Sequence, residues 1–258
     1  LKTAIEGFNG EIGIYIKDLR TGKTVGINAD SIFPTASIVK VPIMVSIADK
    51  LSSAQLQYDQ VLTYRDSLLY AGEDILGSFK DGEKIALKKV MMLMLTTSDN
   101  TASLWLQSLA GTGTRINELI EGLGMKNTRV NSRTTGRQDD WKLFGWGQTT
   151  PREMAGLFEM IYNKQVISEA ASLRMMRLLS RNFWDNVGLS QVPPTVAVFS
   201  KNGAVDASRS EVMLVNGCKR PYLLAVFTKN NKDISWADNN EAWVLMRKIS
   251  LMAWEHFK

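Results

Sequence analysis

The sequence predicts a mixed α/β (α+β) fold, with one antiparallel sheet built from both chain ends, flanked by helices, and an all-helical region inserted between. Three observations predict it. Period-two alternation marks the start of the chain, helical patterning runs from Ala36 to about Leu189, and strand-like segments return after Thr195. With 258 residues and 45% hydrophobic content, the chain can bury a sizeable core. It reads as a single domain whose sheet-containing parts are 1–35 and 190–258 and whose mainly helical part is 36–189.

The first strand, Glu11 to Leu19, is set by Ile12, Ile14 and Ile16 on one side, with Tyr15 and Lys17 between them. Arg20-Thr21-Gly22-Lys23 then turns the chain, and Thr24 to Asn28 returns as the second arm of a hairpin. Leu87 to Leu95 is a nearly continuous apolar run, and Thr101 to Leu109 continues in helical register to a break at Gly111-Thr112-Gly113. Thr149-Thr150-Pro151 opens a helix: threonine caps, and proline stands first, where no amide donor is needed. Met154, Leu157, Phe158 and Ile161 form its apolar face. Val196 to Ser200, Glu211 to Val215 and Tyr222 to Thr228 are strands, with Asn216-Gly217 as the turn after the second. The tail from Trp236 to Phe257 is an amphipathic helix that offers Trp243, Met246, Ile249 and Trp254 for burial.

Composition excludes several functions. The net charge of +5 comes from 31 basic and 26 acidic residues, with no cluster that would track nucleic acid, so it supports only a mild preference for anionic ligands. No stretch approaches the ~20 apolar residues of a membrane span. Cys218 is the one cysteine, which excludes an intramolecular disulfide and a cysteine-rich metal site, and nothing near it suggests a reactive thiol. His256 is the one histidine and stands near the chain end, which counts against a histidine-rich metal site and against a Ser-His-Asp triad. No metal and no cofactor are expected. Met91, Met92 and Met94 read as core filler, and Trp141 and Trp146 as packing for the loop that carries them.

The stretch FPTASIVKVPIMVS, Phe33 to Ser46, places Ser37 and Lys40 at i and i+3, on one face of a helix. A serine hydroxyl is a poor nucleophile until a neighbour takes its proton. Lysine can do so only if burial or nearby positive charge lowers its pKa. Ile38, Val39 and Val41 supply apolar surroundings, and a helix N-terminus at Ser37 would favour negative charge developing there. Pro42 is unexpected in a helix interior, where it would leave a carbonyl one turn earlier unpaired. Taken alone, the pair also fits an ordinary buried helix. Ser98-Asp99-Asn100 by itself fits a helix N-cap, and Lys201-Asn202-Gly203, directly after the strand Thr195 to Ser200, fits a strand ending in a turn.

Together the three motifs carry more. Ser-x-x-Lys, Ser-Asp-Asn and Lys-Asn-Gly, in this order and 61 and 103 residues apart, resemble the class A-like serine β-lactamases and penicillin-binding serine hydrolases. The resemblance covers nearly the whole chain, including the Phe-x-x-Ala-Ser start at Phe33 and Thr149 to Pro151. It implies the β-lactamase/transpeptidase-like fold and an acyl-enzyme mechanism. Ser37 would attack a β-lactam carbonyl, Lys40 would help take its proton, and Ser98 would relay a proton to the departing ring nitrogen. Lys201 would supply positive charge for that relay and for the substrate carboxylate. Asn100 would bind the substrate's side-chain amide, Asn202 and Gly203 would line the site, and the N–H groups of Ser37 and Ala204 would form the oxyanion hole. Arg209 would assist with the carboxylate, although it stands one place from where the family arginine aligns. The implied substrate is a β-lactam or a D-Ala-D-Ala-like small molecule, and the implied protein is a monomer in the periplasm or secreted.

The family pattern fails at one place in particular. Class A enzymes carry a glutamate in a Glu-x-x-Leu-Asn context that primes water for deacylation, and gap-free counting from Ser98 or back from Pro151 lands on Thr134. The surrounding NSRTTGRQDDWKLFGWGQTTP contains no glutamate, which leaves Asp139 or Asp140 as candidate substitutes. The arginine–aspartate pair that staples this loop in the family is not evident either. Asn202 replaces a hydroxyl residue that normally contacts the carboxylate. Acylation followed by slow hydrolysis is therefore expected. That outcome suits a slowly deacylating β-lactamase or a D,D-peptidase acting on peptidoglycan stem peptides; a non-catalytic binding domain that keeps the fold is the third reading.

Overall fold

A short helix, α1 (Lys2–Ile5), precedes the hairpin of β1 (Glu11–Asp18) and β2 (Thr24–Ile27) in the computed structural model, which describes residues 1–70, 72, 74–217 and 219–258. β3 (Phe33–Pro34) leads through a 3₁₀ turn, Ala36–Val39, into α2 (Lys40–Ser52). The ribbon of β4 (Val61–Thr63) and β5 (Lys84–Ala86) is followed by α3 (Leu87–Met92), a π turn at Leu93–Thr97, and α4 (Asn100–Leu109). α5 (Thr112–Gly122), β6 (Arg129–Val130), α6 (Gln138–Phe144), β7 (Gly147–Thr149), α7 (Pro151–Tyr162) and α8 (Glu169–Leu179) complete the inserted region. The chain then returns as β8 (Ala197–Val205), β9 (Ser208–Asn216) and β10 (Tyr222–Lys229), and ends in α9 (Glu241–Phe257).

The main sheet has the order β2-β1-β10-β9-β8 and is antiparallel throughout, so the first and last parts of the chain meet where β1 pairs with β10. Strand alternation divides the apolar residues between two cores. Ile12, Ile14 and Ile16 join Met213, Val215, Leu224 and Val226 under Leu245, Met246 and Ile249 of α9. On the other face Val212, Leu214, Leu223 and Phe227 pack against the helical region, where Ile38, Ile43 and Met44 of the Ser37 segment are fully buried. Thr150 caps α7 by accepting from the Glu153 amide at 3.1 Å, with Pro151 at the first helical position.

Four local expectations change. β8 does not end at Ser200 but continues through Lys201, Asn202 and Gly203, because β9 pairs with it from Ala197↔Asn216 to Val205↔Ser208. α9 begins at Glu241 rather than Trp236, since the Asn240 side chain accepts from the amides of Ala242 and Trp243 and so fixes the start. Met92 lies on the open side of α3, 48% exposed, while Met91 and Met94 are buried. Pro42 falls in the first turn of α2, where the Lys40 amide already bonds the Ser37 and Ile38 carbonyls in the 3₁₀ turn, so the proline forfeits no helical bond. Cys218 lies outside the described residues. Among the described residues no helix is long and apolar enough to cross a membrane, and no group of three or more His, Cys, Asp or Glu is placed to hold a metal ion.

Candidate active site

Ser37 is presented by a strained turn. Ala36 holds φ at +44°, a region that residues with a side chain rarely adopt, and the strain turns the chain from β3 into the 3₁₀ turn with Ser37 half-exposed. One helical turn on, Lys40 is fully buried. Its Nζ donates to Ser37 Oγ at 2.9 Å, Ser98 Oγ at 3.0 Å and Asn100 Oδ1 at 2.8 Å, and also to the Ser98 carbonyl. Burial pushes the lysine pKa down to about 7, against the opposing pull of Asp74 and Asp99. An amine balanced near neutrality, bonded to two serine hydroxyls, can take a proton from one and deliver it to the other.

The second serine is positioned as precisely. The π turn Leu93–Thr97 ends with Ser98 in the left-handed region, φ +63°, which aims both its hydroxyl and its carbonyl at Lys40. Asp99 then caps α4: its carboxylate accepts from the Ala102 amide at 2.7 Å and the Leu76 amide at 2.9 Å. Burial pushes the Asp99 pKa up, and those two bonds hold it down. Asp74 accepts from the amides of Asn100 and Thr101 at 2.8 and 2.9 Å, so two carboxylates fasten the start of α4. Replacing Asp99 by alanine is expected to cost about 1–2 kcal/mol in a denaturant melt, because a cap and a buried amide lose their acceptor.

The opposite wall is the β8 edge. At Gly203 an added Cβ would stand 2.6 Å from the Thr35 carbonyl and 2.9 Å from the Ser37 nitrogen, so only glycine lets β8 approach the nucleophile's turn. Ser37, Asn100 and Ala204 form the saddle between two lobes of one cleft. The first lobe, about 450 Å³, is walled by Tyr70, Leu143, Phe144, Trp146 and Val205; the second, about 550 Å³, by Ser98, Asn202, Trp184, Trp236 and Asp238. Lys201 is fully buried behind Asn202, and its Nζ donates to the Asn202 carbonyl at 2.8 Å and to Asn202 Oδ1 at 3.3 Å, not to Ser98. Burial and the nearby charge of Lys40 hold its pKa well below the usual lysine range, although Glu211 pulls the other way. The resemblance implies that Lys201 supplies positive charge to the Ser98 relay; in this geometry its amine bonds Asn202 and no hydrogen bond links it to Ser98.

The model of the beta-lactamase enzyme family matches residues 1–257. The chain belongs to the beta-lactamase enzyme family. It is a serine β-lactamase-like hydrolase. The curated β-lactamase VEB-1 of Pseudomonas aeruginosa is 21% identical over 271 residues, covering all of this chain and 89% of that protein. The fold matches a β-lactamase from Sphaerobacter thermophilus with a TM-score of 0.88 at 22% identity, over 99% of this chain and 95% of that one. It also matches a mutant of PBP-A, described as an acyl-enzyme complex with penicillin G, with a TM-score of 0.87 at 22% identity, over 99% of this chain and 93% of that one.

Within this β-lactamase fold, three groups expected at the site are placed elsewhere. Arg209 is fully buried and lines neither lobe. Its guanidinium stacks on Trp236 and Trp243 at 4.5 and 4.8 Å and donates to carbonyls of Val205, Asp206, Ser208 and Ser235, so its charge is engaged by indoles and a carbonyl-rich hairpin end. Asp139 and Asp140 lie in the first turn of α6, paired with Lys142 and Arg137 at 3.1 Å each, and neither lines the cleft. Thr134 faces inward, donating to the Ser132 and Val130 carbonyls. Replacing Asp139 and Asp140 together by asparagine is expected to leave the deacylation rate within about twofold, followed by intact mass after a penicillin pulse.

The loop that carries these residues has its own staple. Arg137 donates to Asn131 Oδ1 at 2.7 Å and Gln148 Oε1 at 2.9 Å, a network that sequence reading missed. Trp146, expected only to pack the loop, stands edge-on to Tyr70 at 5.1 Å and walls the first lobe, whereas Trp141 is 50% exposed and lines neither lobe. Glu211 was also missed. It is buried on β9, accepts from the amides of Gly188 and Leu189, and is pushed up to about 7 by that burial. A charged residue opening an apolar strand was the signal for it.

Proposed function

We propose that a β-lactam acylates Ser37 and that the acyl-enzyme hydrolyses slowly. The single observation that carries the reading is the Lys40 amine, buried and bonded to both Ser37 Oγ and Ser98 Oγ. Neutral Lys40 accepts the Ser37 proton as Oγ adds to the carbonyl carbon. The oxyanion takes hydrogen bonds from the N–H groups of Ser37 and Ala204, each worth about 2.7–4 kcal/mol in comparable sites. As the C–N bond breaks, Lys40 returns a proton to Ser98 Oγ, and Ser98 passes its own to the departing nitrogen. Asn100 binds the amide of the acyl side chain, and Asn202 meets the substrate carboxylate. An anion there would favour the charged form of Lys201.

Deacylation needs a base for water. Among the described residues, the lobe between Ser37 and α6 is lined by Tyr70, Leu143, Phe144 and Trp146 and carries no carboxylate. General-base assistance is worth roughly 10²–10⁴-fold, so a lobe without a carboxylate among the described residues supports a long-lived acyl-enzyme. The same observation supports a second reading, a penicillin-binding D,D-peptidase that uses this acylation chemistry on a D-Ala-D-Ala terminus. Either substrate fits a monomer in the periplasm or secreted. A purely non-catalytic binding domain has less support, because it would need neither a buried Lys40 nor a left-handed Ser98.

The test is to incubate the protein with benzylpenicillin, then map the adduct by peptide mass. A covalent adduct on Ser37, absent from Ser37→Ala, is expected. Folded protein that shows neither an adduct nor turnover at any concentration would overturn both enzymatic readings.

A further inference from the structure

In the acyl-enzyme reading, on which this inference rests, the second lobe receives the departing half of the substrate. Its charge balance is unusual for a site that meets anionic antibiotics. Among the described residues, its lining includes Asp74 and Asp238 and no lysine or arginine. Asp74 is engaged by the start of α4, but the Asp238 carboxylate has no hydrogen bond or ion pair among the described residues. Lys201 and Arg209, the cations the sequence pointed to here, are both fully buried.

The rest of the wall is aromatic. Trp184 donates its indole N–H to the Thr97 carbonyl at 2.9 Å, and Trp236 donates its own to Asp206 at 2.9 Å, so both rings are tied by an edge while staying 47% and 59% exposed. Arg209 already occupies the inner side of Trp236 and Trp243 as a cation–π partner. Trp236 meets Trp243 edge-on at 5.9 Å, yet it is 59% exposed and lines the lobe, so part of its indole stays open to the cleft beside the Arg209 contact. The charge of Arg209 is itself offset by Asp206 and Asp233. The lobe thus combines exposed indoles with a carboxylate that has no ion pair among the described residues, an arrangement suited to flat cations.

We propose that this lobe is a subsite for a planar cation on the leaving side of the acylating substrate, a pyridinium or similar quaternary-nitrogen ring, seated on Trp236 and Trp184 with Asp238 as counter-charge. Specificity among β-lactams would then depend on the charge of the leaving-side substituent, with cationic compounds preferred over neutral ones.

The experiment uses the full chain and two cephalosporins that share one acyl side chain, one carrying a pyridinium-methyl and the other an acetoxymethyl leaving-side group. The second-order rate of Ser37 acylation is measured for each in wild type, Trp236→Leu and Asp238→Asn. Comparing the cation-to-neutral ratio between proteins cancels the intrinsic reactivity of the two compounds. The ratio is expected to fall about tenfold in Trp236→Leu and severalfold in Asp238→Asn, the range that cation–π and exposed charge contacts support. It is expected to hold in Trp141→Leu, an exposed indole outside the cleft. Asp238→Asn is isosteric at an exposed position, so a folding failure of Trp236→Leu does not remove the test. An unchanged ratio in Asp238→Asn with acylation intact overturns the proposal alone. No acylation by either compound overturns the acyl-enzyme reading and the proposal with it.

Discussion

Replacing Lys40 by methionine is expected to lower the acylation rate of Ser37 by roughly 10²–10⁴-fold, the usual worth of a general base. The same variant is expected to melt higher than wild type. A lysine whose folded pKa is pushed from 10.5 to about 7 lowers stability at every pH below its unfolded value, and that loss fades only as pH rises toward 10.5. At neutral pH it amounts to roughly 4 kcal/mol before the variant's own losses. Those losses are modest, because Ser37, Ser98 and Asn100 are half-exposed at the cleft and water can replace the amine. A net gain of about 1–3 kcal/mol in a denaturant melt, with acylation all but gone, is the signature of a functional group held against stability. In wild type the acylation rate is expected to fall about tenfold per pH unit below about 7, where Lys40 carries a proton, and to level off above it.

The second large effect is at Gly203. Its missing side chain leaves the space through which β8 approaches Thr35 and Ser37, and the atoms in the way of an added methyl are backbone. Gly203→Ala must therefore move a strand or the nucleophile's turn. Displacements of about 1 Å at reacting atoms cost roughly 10²-fold, and crowding of this kind costs about 1–3 kcal/mol of stability. Acylation kinetics and a thermal melt on the same preparation are expected to show both losses. A control at Gly122, where an added Cβ meets nothing within 4 Å, is expected to show neither.

Much of this arrangement is legible in the residues. Alternation at Ile12, Ile14 and Ile16 marks the face that α9 covers, and the Thr150-Pro151 pair marks the start of α7, because both signals are local. Ser37, Lys40, Ser98 and Asn100 are recognisable from motif order and spacing, and the fold brings these four together around one amine. What escaped the sequence depends on contacts between distant segments. Asp74 meets α4 across 26 residues, and Arg209 is captured by Trp236 and Trp243 from a different part of the chain. The end of β8 was misplaced at Asn-Gly because turn propensity is weak beside a full ladder with β9. Asp139 and Asp140 had the right chemistry in the right loop, but the helix α6 turns them to partners on its own surface.

The proposed function makes one kinetic statement: fast acylation of Ser37 through Lys40, then slow release, since among the described residues the lobe beside α6 carries no carboxylate. The direct measurement is rapid mixing of the full chain with excess chromogenic cephalosporin, following ring opening over the first turnover and beyond. A burst equal to one ring opened per protein molecule, followed by a steady phase at least about tenfold slower, is the predicted result. Linear ring opening from the first moment, with no burst and no adduct trapped on Ser37, would contradict it.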